Sequence, residues 1–108
     1  MGIFTTYNNE EEICLTLKPV MDLAMAEKLR LSLLDSLAAS LAANKTIKIM
    51  AGEVERITTP CLQILLAMKT RTDQQHIDFL FPEMSDAFRT VANDIGLQDQ
   101  FTALEQTL

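Results

Sequence analysis

The fold is decided by Val54-Glu55-Arg56-Ile57-Thr58-Thr59-Pro60-Cys61-Leu62-Gln63-Ile64-Leu65-Leu66-Ala67-Met68. Its first half is short, β-prone and turn-like, and its second half is apolar at helical spacing. Pro60 marks the change, because proline is favoured at the first helical position, where its missing N–H had no partner anyway. Cys61, Ile64, Leu65 and Met68 then share one face, and Leu62 and Leu66 widen it. A helix so apolar, predicted from Pro60 to about Thr70, is expected to be covered over much of its circumference. On this reading Thr59 is the N-cap, its hydroxyl accepting from the backbone N–H of Leu62 or Cys61.

Upstream, Thr46 to Met50 alternates, with Ile47 and Ile49 inward and Lys48 outward, and Ala51-Gly52-Glu53 breaks the strand before Val54. From about Ala24 to Ala43 the period is helical. Leu34, Leu37, Ala38 and Leu41 fall at i, i+3, i+4 and i+7, and Met25, Leu29 and Leu33 extend the face. Asn44, which tolerates the left-handed conformation, closes that helix. Before it, Glu12 to Lys18 alternates with Ile13, Leu15 and Leu17 on one side, until Pro19 ends the strand for want of an N–H. Ile3 to Tyr7 is β-prone, and Asn8-Asn9 is a turn signal that makes the two segments a hairpin.

Downstream, Ile77 to Phe81 is predicted to be a strand stopped by Pro82. Ser85 is placed to cap a helix whose face is Phe88, Val91, Ala92 and Ile95. Gly96 suits the left-handed position after it, with Leu97 folding back, and Asp99 to Thr107 is a short final helix. The order β-β-α-β-α-β-α-α predicts an α/β fold: one domain over 1–108, with a mixed, mostly parallel sheet of about four to five strands, an N-terminal hairpin and about four helices. No linker, internal repeat or low-complexity segment interrupts it.

The totals narrow the function. With 15 Asp and Glu against 9 Lys and Arg, the net charge of −6 repels phosphate backbones, and no basic stripe overcomes it, so nucleic acid is not the expected partner. No apolar run reaches the roughly 18 residues of a membrane span, and the N-terminus lacks signal-peptide features. Two cysteines, Cys14 and Cys61, give no disulfide framework and suit a reduced, cytoplasmic protein. Met1-Gly2-Ile3-Phe4-Thr5-Thr6 matches the loose myristoylation pattern, but the segment reads as an ordinary first strand.

At the junction, a helix N-terminus offers free N–H groups and positive partial charge, which stabilise a phosphoryl group nearby. Thr59 and Thr58 are therefore the candidate phosphoacceptors, although a capping threonine needs no further function. Cys61, in the first turn, would be a reactive thiol if the helix lowered its pKa; the alternative is a buried small hydrophobe facing Leu65. His76 is the single histidine, at an expected solvated loop edge, so no metal site can be assembled around a histidine pair. Glu10-Glu11-Glu12 reads as a solvated acidic turn. The methionines read as core filling, with Met21, Met25 and Met84 as a possible adaptable binding patch. No glycine-rich phosphate loop and no set of nucleophile, base and orienting group can be named, so neither a cofactor nor catalysis is expected.

The stretch from Ile47 to Met68 resembles the signature region of STAS domains, the anti-sigma-factor-antagonist family. That pattern runs strand, turn, Val-x-x-hydrophobic, Asp-[Ser/Thr]-[Ser/Thr/Ala]-Gly-Leu, then an apolar helix. Here it stands as Val54-Glu55-Arg56-Ile57, Thr58-Thr59-Pro60-Cys61-Leu62 and Gln63 to Met68. Phe79 to Phe101 is similar to the family's later strand, Ser-x-Ala-Phe and Ile-Gly-Leu ending. The motif's Asp is Thr58 and its Gly is Cys61. Pro60 occupies the position of the serine phosphorylated in sporulation-type antagonists, so that switch is missing here and Thr59 keeps the one matching hydroxyl. The Thr-Pro-Cys-Leu-Gln version is most like small STAS proteins of alphaproteobacterial chemotaxis operons.

The resemblance implies a non-enzymatic signalling adaptor. It would bind a histidine-kinase-like protein, of chemotaxis or partner-switching type, through Arg56, Thr58, Thr59, Pro60 and Gln63, tuned by threonine phosphorylation. A phosphate of about −1.5 to −2 charge inside a tight interface opposes binding by desolvation and repulsion. The competing readings are a STAS subunit of a membrane lipid-transport ATPase, a thiol enzyme using Cys61, and an all-helical phosphotransfer domain using His76.

Overall fold

The computed structural model describes residues 5–8 and 11–102. Within them β1 (Thr5–Asn8) and β2 (Glu12–Thr16) form the expected antiparallel hairpin, with Tyr7 opposite Cys14. The rest of the Met1-to-Thr6 pattern, the turn residue Asn9, Glu10 and the stretch up to Thr107 lie outside the described residues. Ile13, Leu15 and Leu17 are buried, while Cys14 and Thr16 are half-buried on the opposite face.

A short strand follows that the sequence reading missed. β3 (Val20–Met21) leaves the sheet region and pairs in parallel with β5 (Arg56–Ile57), Val20 opposite Arg56 and Met21 opposite Ile57. Two-residue strands carry too little alternation to be read from a pattern.

α1 (Leu23–Ala43) starts at Asp22, whose side chain accepts from the Met25 N–H at 3.2 Å, and ends at Asn44 with φ of 54°. Its inward face corrects the expectation. Ala26, Leu29, Leu33, Ser36, Leu37 and Ser40 are buried, whereas Leu34 is half-buried and Ala38 and Leu41 are exposed. The helix is apolar nearly all round, so the i, i+3, i+4, i+7 template fits it in more than one place. Two serines, Ser36 and Ser40, lie on the buried face in place of larger apolar residues, and the Ser40 hydroxyl donates to the Lys45 carbonyl.

β4 (Thr46–Ala51) lies parallel to β2, Ile13 opposite Ile47 and Leu15 opposite Ile49, and its inward Ile47 and Ile49 are fully buried. After β5 comes α2 (Thr59–Gln74), a turn longer than predicted. It ends with His76 at φ of 58°. The His76 N–H donates to the Asp73 carbonyl and the Ile77 N–H to the Thr72 carbonyl, a Schellman arrangement in which histidine takes the place usual for glycine.

β6 (Phe79–Met84) runs parallel to β4 and completes the order β1-β2-β4-β6, a mixed, mostly parallel four-stranded sheet. Pro82 was expected to stop this strand and instead lies inside it. Two features make room for it: β6 is an edge strand, and its register to β4 shifts between Lys48 and Met50, so a missing donor is tolerated. α3 (Asp86–Asp94) begins with the Ser85 hydroxyl accepting from the Phe88 N–H at 3.0 Å. It closes at Gly96, φ 78°, with Leu97 N–H to Ala92 carbonyl at 2.8 Å, as expected. α4 (Gln98–Thr102) is held by Phe101, which meets Phe88 edge-on at 5.1 Å and Phe81 at 5.6 Å between ring centroids. The inward faces of β2, β4 and β6 and the helices above them thus enclose one aromatic and aliphatic core.

Candidate functional site

All three parallel strands, β2, β4 and β6, lead at their C-terminal ends into the starts of α1, α2 and α3. In open α/β sheets this edge is where binding sites form, because the connecting loops and helix N-termini converge there. The chain between β4 and α2 is fastened on both sides. The Glu55 and Arg56 N–H groups both donate to the Pro19 carbonyl, at 2.7 and 3.0 Å, and the Thr58 N–H donates to the Met21 carbonyl at 3.0 Å. From the other side the Ser85 hydroxyl donates to the Val54 carbonyl, and the Ser85 N–H to the Ala51 carbonyl.

The cap of α2 is not the residue the sequence indicated. Thr58 occupies the N-cap position, with extended φ and ψ of −91° and 156°, Thr59 is the first helical residue and Pro60 the second. The Thr58 side chain makes no capping bond; its hydroxyl donates instead to the Met21 carbonyl at 3.3 Å and lies 3.5 Å from the Cys61 sulfur. The presence of β3 is the physical reason: a carbonyl from a neighbouring strand end offers the hydroxyl a partner outside the helix. Thr59 points its hydroxyl to no partner among the described residues and is half-buried.

Of the five predicted contact residues, Arg56, Pro60 and Gln63 are exposed and Thr58 and Thr59 half-buried, all along β5 and the first turn of α2. Two residues the sequence reading overlooked adjoin them. Val20, beside Arg56, is 43% exposed, and Leu23, next to the Asp22 carbonyl that faces the Cys61 sulfur, is 70% exposed. The signal available was an apolar Val20-Met21 immediately after Pro19, too short to assign. Asp22, Glu53, Glu55 and Glu83 are exposed on the same edge, which makes it mainly acidic, with Lys18 and Arg56 as exposed basic residues beside Val20.

Cys61 is fully buried, and burial raises its thiol pKa above the ordinary value, which favours the buried small hydrophobe over the reactive thiolate. Cys14 is half-buried and its pKa is raised too, by burial first and by Glu12 beside it. His76 is exposed at the end of α2, remote in sequence from the junction. Met21 is wholly buried, which removes it from the suggested methionine patch; Met25 and Met84 are half-buried. Glu12 is no idle member of an acidic turn, because Lys48 on β4 reaches it at 2.7 Å. Among the described residues no cluster of His, Cys, Asp and Glu could hold a metal, and no helix is long and apolar enough to cross a membrane.

No family model matches the chain, and no curated protein matches it in sequence. Among solved structures it is similar to the anti-sigma factor antagonist SpoIIAA in its unphosphorylated form, with a TM-score of 0.69 and 15% identity over 89% of this chain and 83% of that one. The architecture is therefore the STAS fold of the anti-sigma factor antagonists. At 15% identity the likeness is one of backbone course.

Proposed function

We propose that the chain is a non-enzymatic signalling adaptor of the partner-switching kind, which binds a histidine-kinase-like regulator of a chemotaxis or stress pathway through β5 and the first turn of α2. The observation that carries this reading is the exposed apolar pair Val20 and Leu23 beside Arg56, Thr59, Pro60 and Gln63, on the edge of a SpoIIAA-like fold. Apolar anchors ringed by polar groups are what a protein interface needs at its centre.

Thr59 is the favoured switch residue. A phosphate there would lie on the first turn of α2, where the helix N–H groups and dipole stabilise it. The fold would thus tolerate the modification, while Glu53, Glu55 and Asp22 would share their acidic edge with a further charge of about −1.5 to −2. A partner matched to the unmodified edge would then be repelled. Thr58 serves this purpose poorly, because its hydroxyl is already given to the Met21 carbonyl.

The test is affinity capture from the source cell with mass spectrometry of both partners and the Thr58-Thr59 peptide, alongside Thr59→Glu and Thr59→Ala baits. Co-purification of a histidine kinase with wild type and Thr59→Ala, and its loss with Thr59→Glu, is the expected result. Equal capture by all three would defeat the switch. A lipid-transport ATPase in the eluate would assign the chain to that machinery instead.

A further inference from the structure

A second surface lies away from the junction, in the groove between α1 and α2. Here Leu34, Ile64, Ala67 and Met68 floor a socket of about 160 Å³, with Arg30 and Arg71 at its sides. A second hollow of about 370 Å³ adjoins it, lined by Leu37, Leu41, Gln74 and Gln75, and Arg71 borders both. The first is smaller than the roughly 300–1,000 Å³ of small-molecule clefts, and is of a size to take one apolar side chain. Leu34 and Leu41 are two helical turns apart, about 10 Å along α1. That is also the distance between residues i and i+7 of a helix laid in the groove, the spacing by which amphipathic helices anchor.

The charges select the occupant. In a chain of net charge −6, this groove is flanked by two arginines. Arg71 forms no ion pair among the described residues. Arg30 is bound to Glu27 in an exposed pair one turn away on its own helix, a weak attachment that can be exchanged. Leu41 is 50% exposed and Leu34 half-buried, so the apolar rim is open to an incoming side chain.

We infer that the α1–α2 groove docks an acidic amphipathic helix of a partner protein, with apolar anchors at i and i+7 in the two hollows and a carboxylate at i+3 or i+4 on Arg71. This does not depend on the junction reading, since none of Arg56, Thr58, Thr59 or Pro60 lines the groove.

The probe is a synthetic helical peptide of about five turns, carrying leucines seven apart and glutamates three and four residues after the first. A matched peptide has lysines in place of the glutamates. Fluorescence anisotropy with the full chain gives affinity, and amide shifts in nitrogen-15 NMR give location. The glutamate peptide is expected to shift Leu34, Leu37, Ala67 and Arg71, and the lysine peptide to bind wild type far more weakly. Arg71→Glu, on an exposed helix end, should weaken the glutamate peptide about tenfold, the sum of one lost attraction and one new repulsion, and improve the lysine peptide. Equal affinities for the two peptides, shifts confined to Thr59–Gln63, or no shift at all would overturn the inference. So would self-association abolished by Arg71→Glu without peptide binding, which would give the groove to a second copy.

Discussion

The two adjacent threonines at the start of α2 should behave oppositely, and the contrast can be worked out from the hydrogen bonds. Thr58→Val keeps the shape and removes the hydroxyl, losing the 3.3 Å bond to the Met21 carbonyl. That carbonyl still accepts from the Thr58 N–H at 3.0 Å, so no buried acceptor is orphaned. The loss is therefore near the low end of a neutral hydrogen bond, about 0.5–1 kcal/mol, or about 4 °C in Tm for a domain of this size. Thr59→Val removes no bond and should change stability by less than about 0.5 kcal/mol. The acidic pair diverges further. Thr58→Glu turns a carboxylate toward a carbonyl oxygen that had been receiving a donor, at a cost of about 1–3 kcal/mol. Thr59→Glu places its charge at the positive end of α2 and should be neutral or stabilising by about 0.3–1 kcal/mol. Urea titration of the five proteins at neutral pH gives the ranking through ΔG in water. A Thr59→Val variant less stable than Thr58→Val would mean that Thr59 caps the helix after all. A Thr58→Glu variant as stable as wild type would mean the Met21 contact carries no energy, and the preference for Thr59 as phosphoacceptor would go with it.

Other consequences can be measured on the purified chain. Phe101→Ala should destabilise by about 3–5 kcal/mol, because Phe101 is fully buried against Phe81 and Phe88 and is what holds a five-residue helix; a loss under about 1 kcal/mol would show the ring cluster closes without it. The Lys48 ammonium hydrogen-bonded to Glu12 holds that carboxyl below its ordinary value of 4.5. Wild type should therefore be more stable than Glu12→Gln near neutrality, with the gap present above about pH 4.5 and closing as acid takes the pH through the lowered value. The same bond raises Lys48 above its ordinary 10.5, so the gap should also close as alkali carries the pH through that raised value. A gap constant from neutrality into strong acid would contradict the pair. Iodoacetamide near neutral pH should modify neither cysteine quickly, and half-buried Cys14 before Cys61, whose alkylation should follow the unfolding rate; rapid labelling of Cys61 in the folded state would restore a reactive thiol.

The fold was legible where one physical constraint acted alone. Ile13, Leu15, Leu17, Ile47 and Ile49 alternate because each strand has one buried face, and Ser85 and Gly96 bracket α3 because caps have few chemical solutions. Legibility failed where two solutions fitted the same letters. In α1 the leucines allow several stripes, and the buried one includes Ser36 and Ser40, which no hydrophobic pattern marks. Pro82 reads as a stop because a strand interior needs its N–H, and nothing local to it reveals that β6 is an edge with a shifted register. At the site, local spacing points to Thr59 as the cap because it precedes Pro60. The partner that draws the Thr58 hydroxyl away comes from Met21, 37 residues earlier in the chain, and a contact of that range leaves no mark on local spacing. The exposed Val20 and Leu23 were invisible for the same reason: their setting depends on β3 and β5 finding each other.

The carbonyl of Met21 receives the N–H and hydroxyl of Thr58, and the thiol of Cys61 lies 3.6 Å from it. α1 departs two residues after this oxygen, and α2 departs one residue after Thr58, so both long crossovers are tethered to a single atom. Such a tether works like a shared hinge pin. Whatever displaces Thr58 would remove both bonds to this oxygen, two residues before α1 begins. An event at one threonine would then be felt on two faces of the molecule through a linkage only a few bonds long.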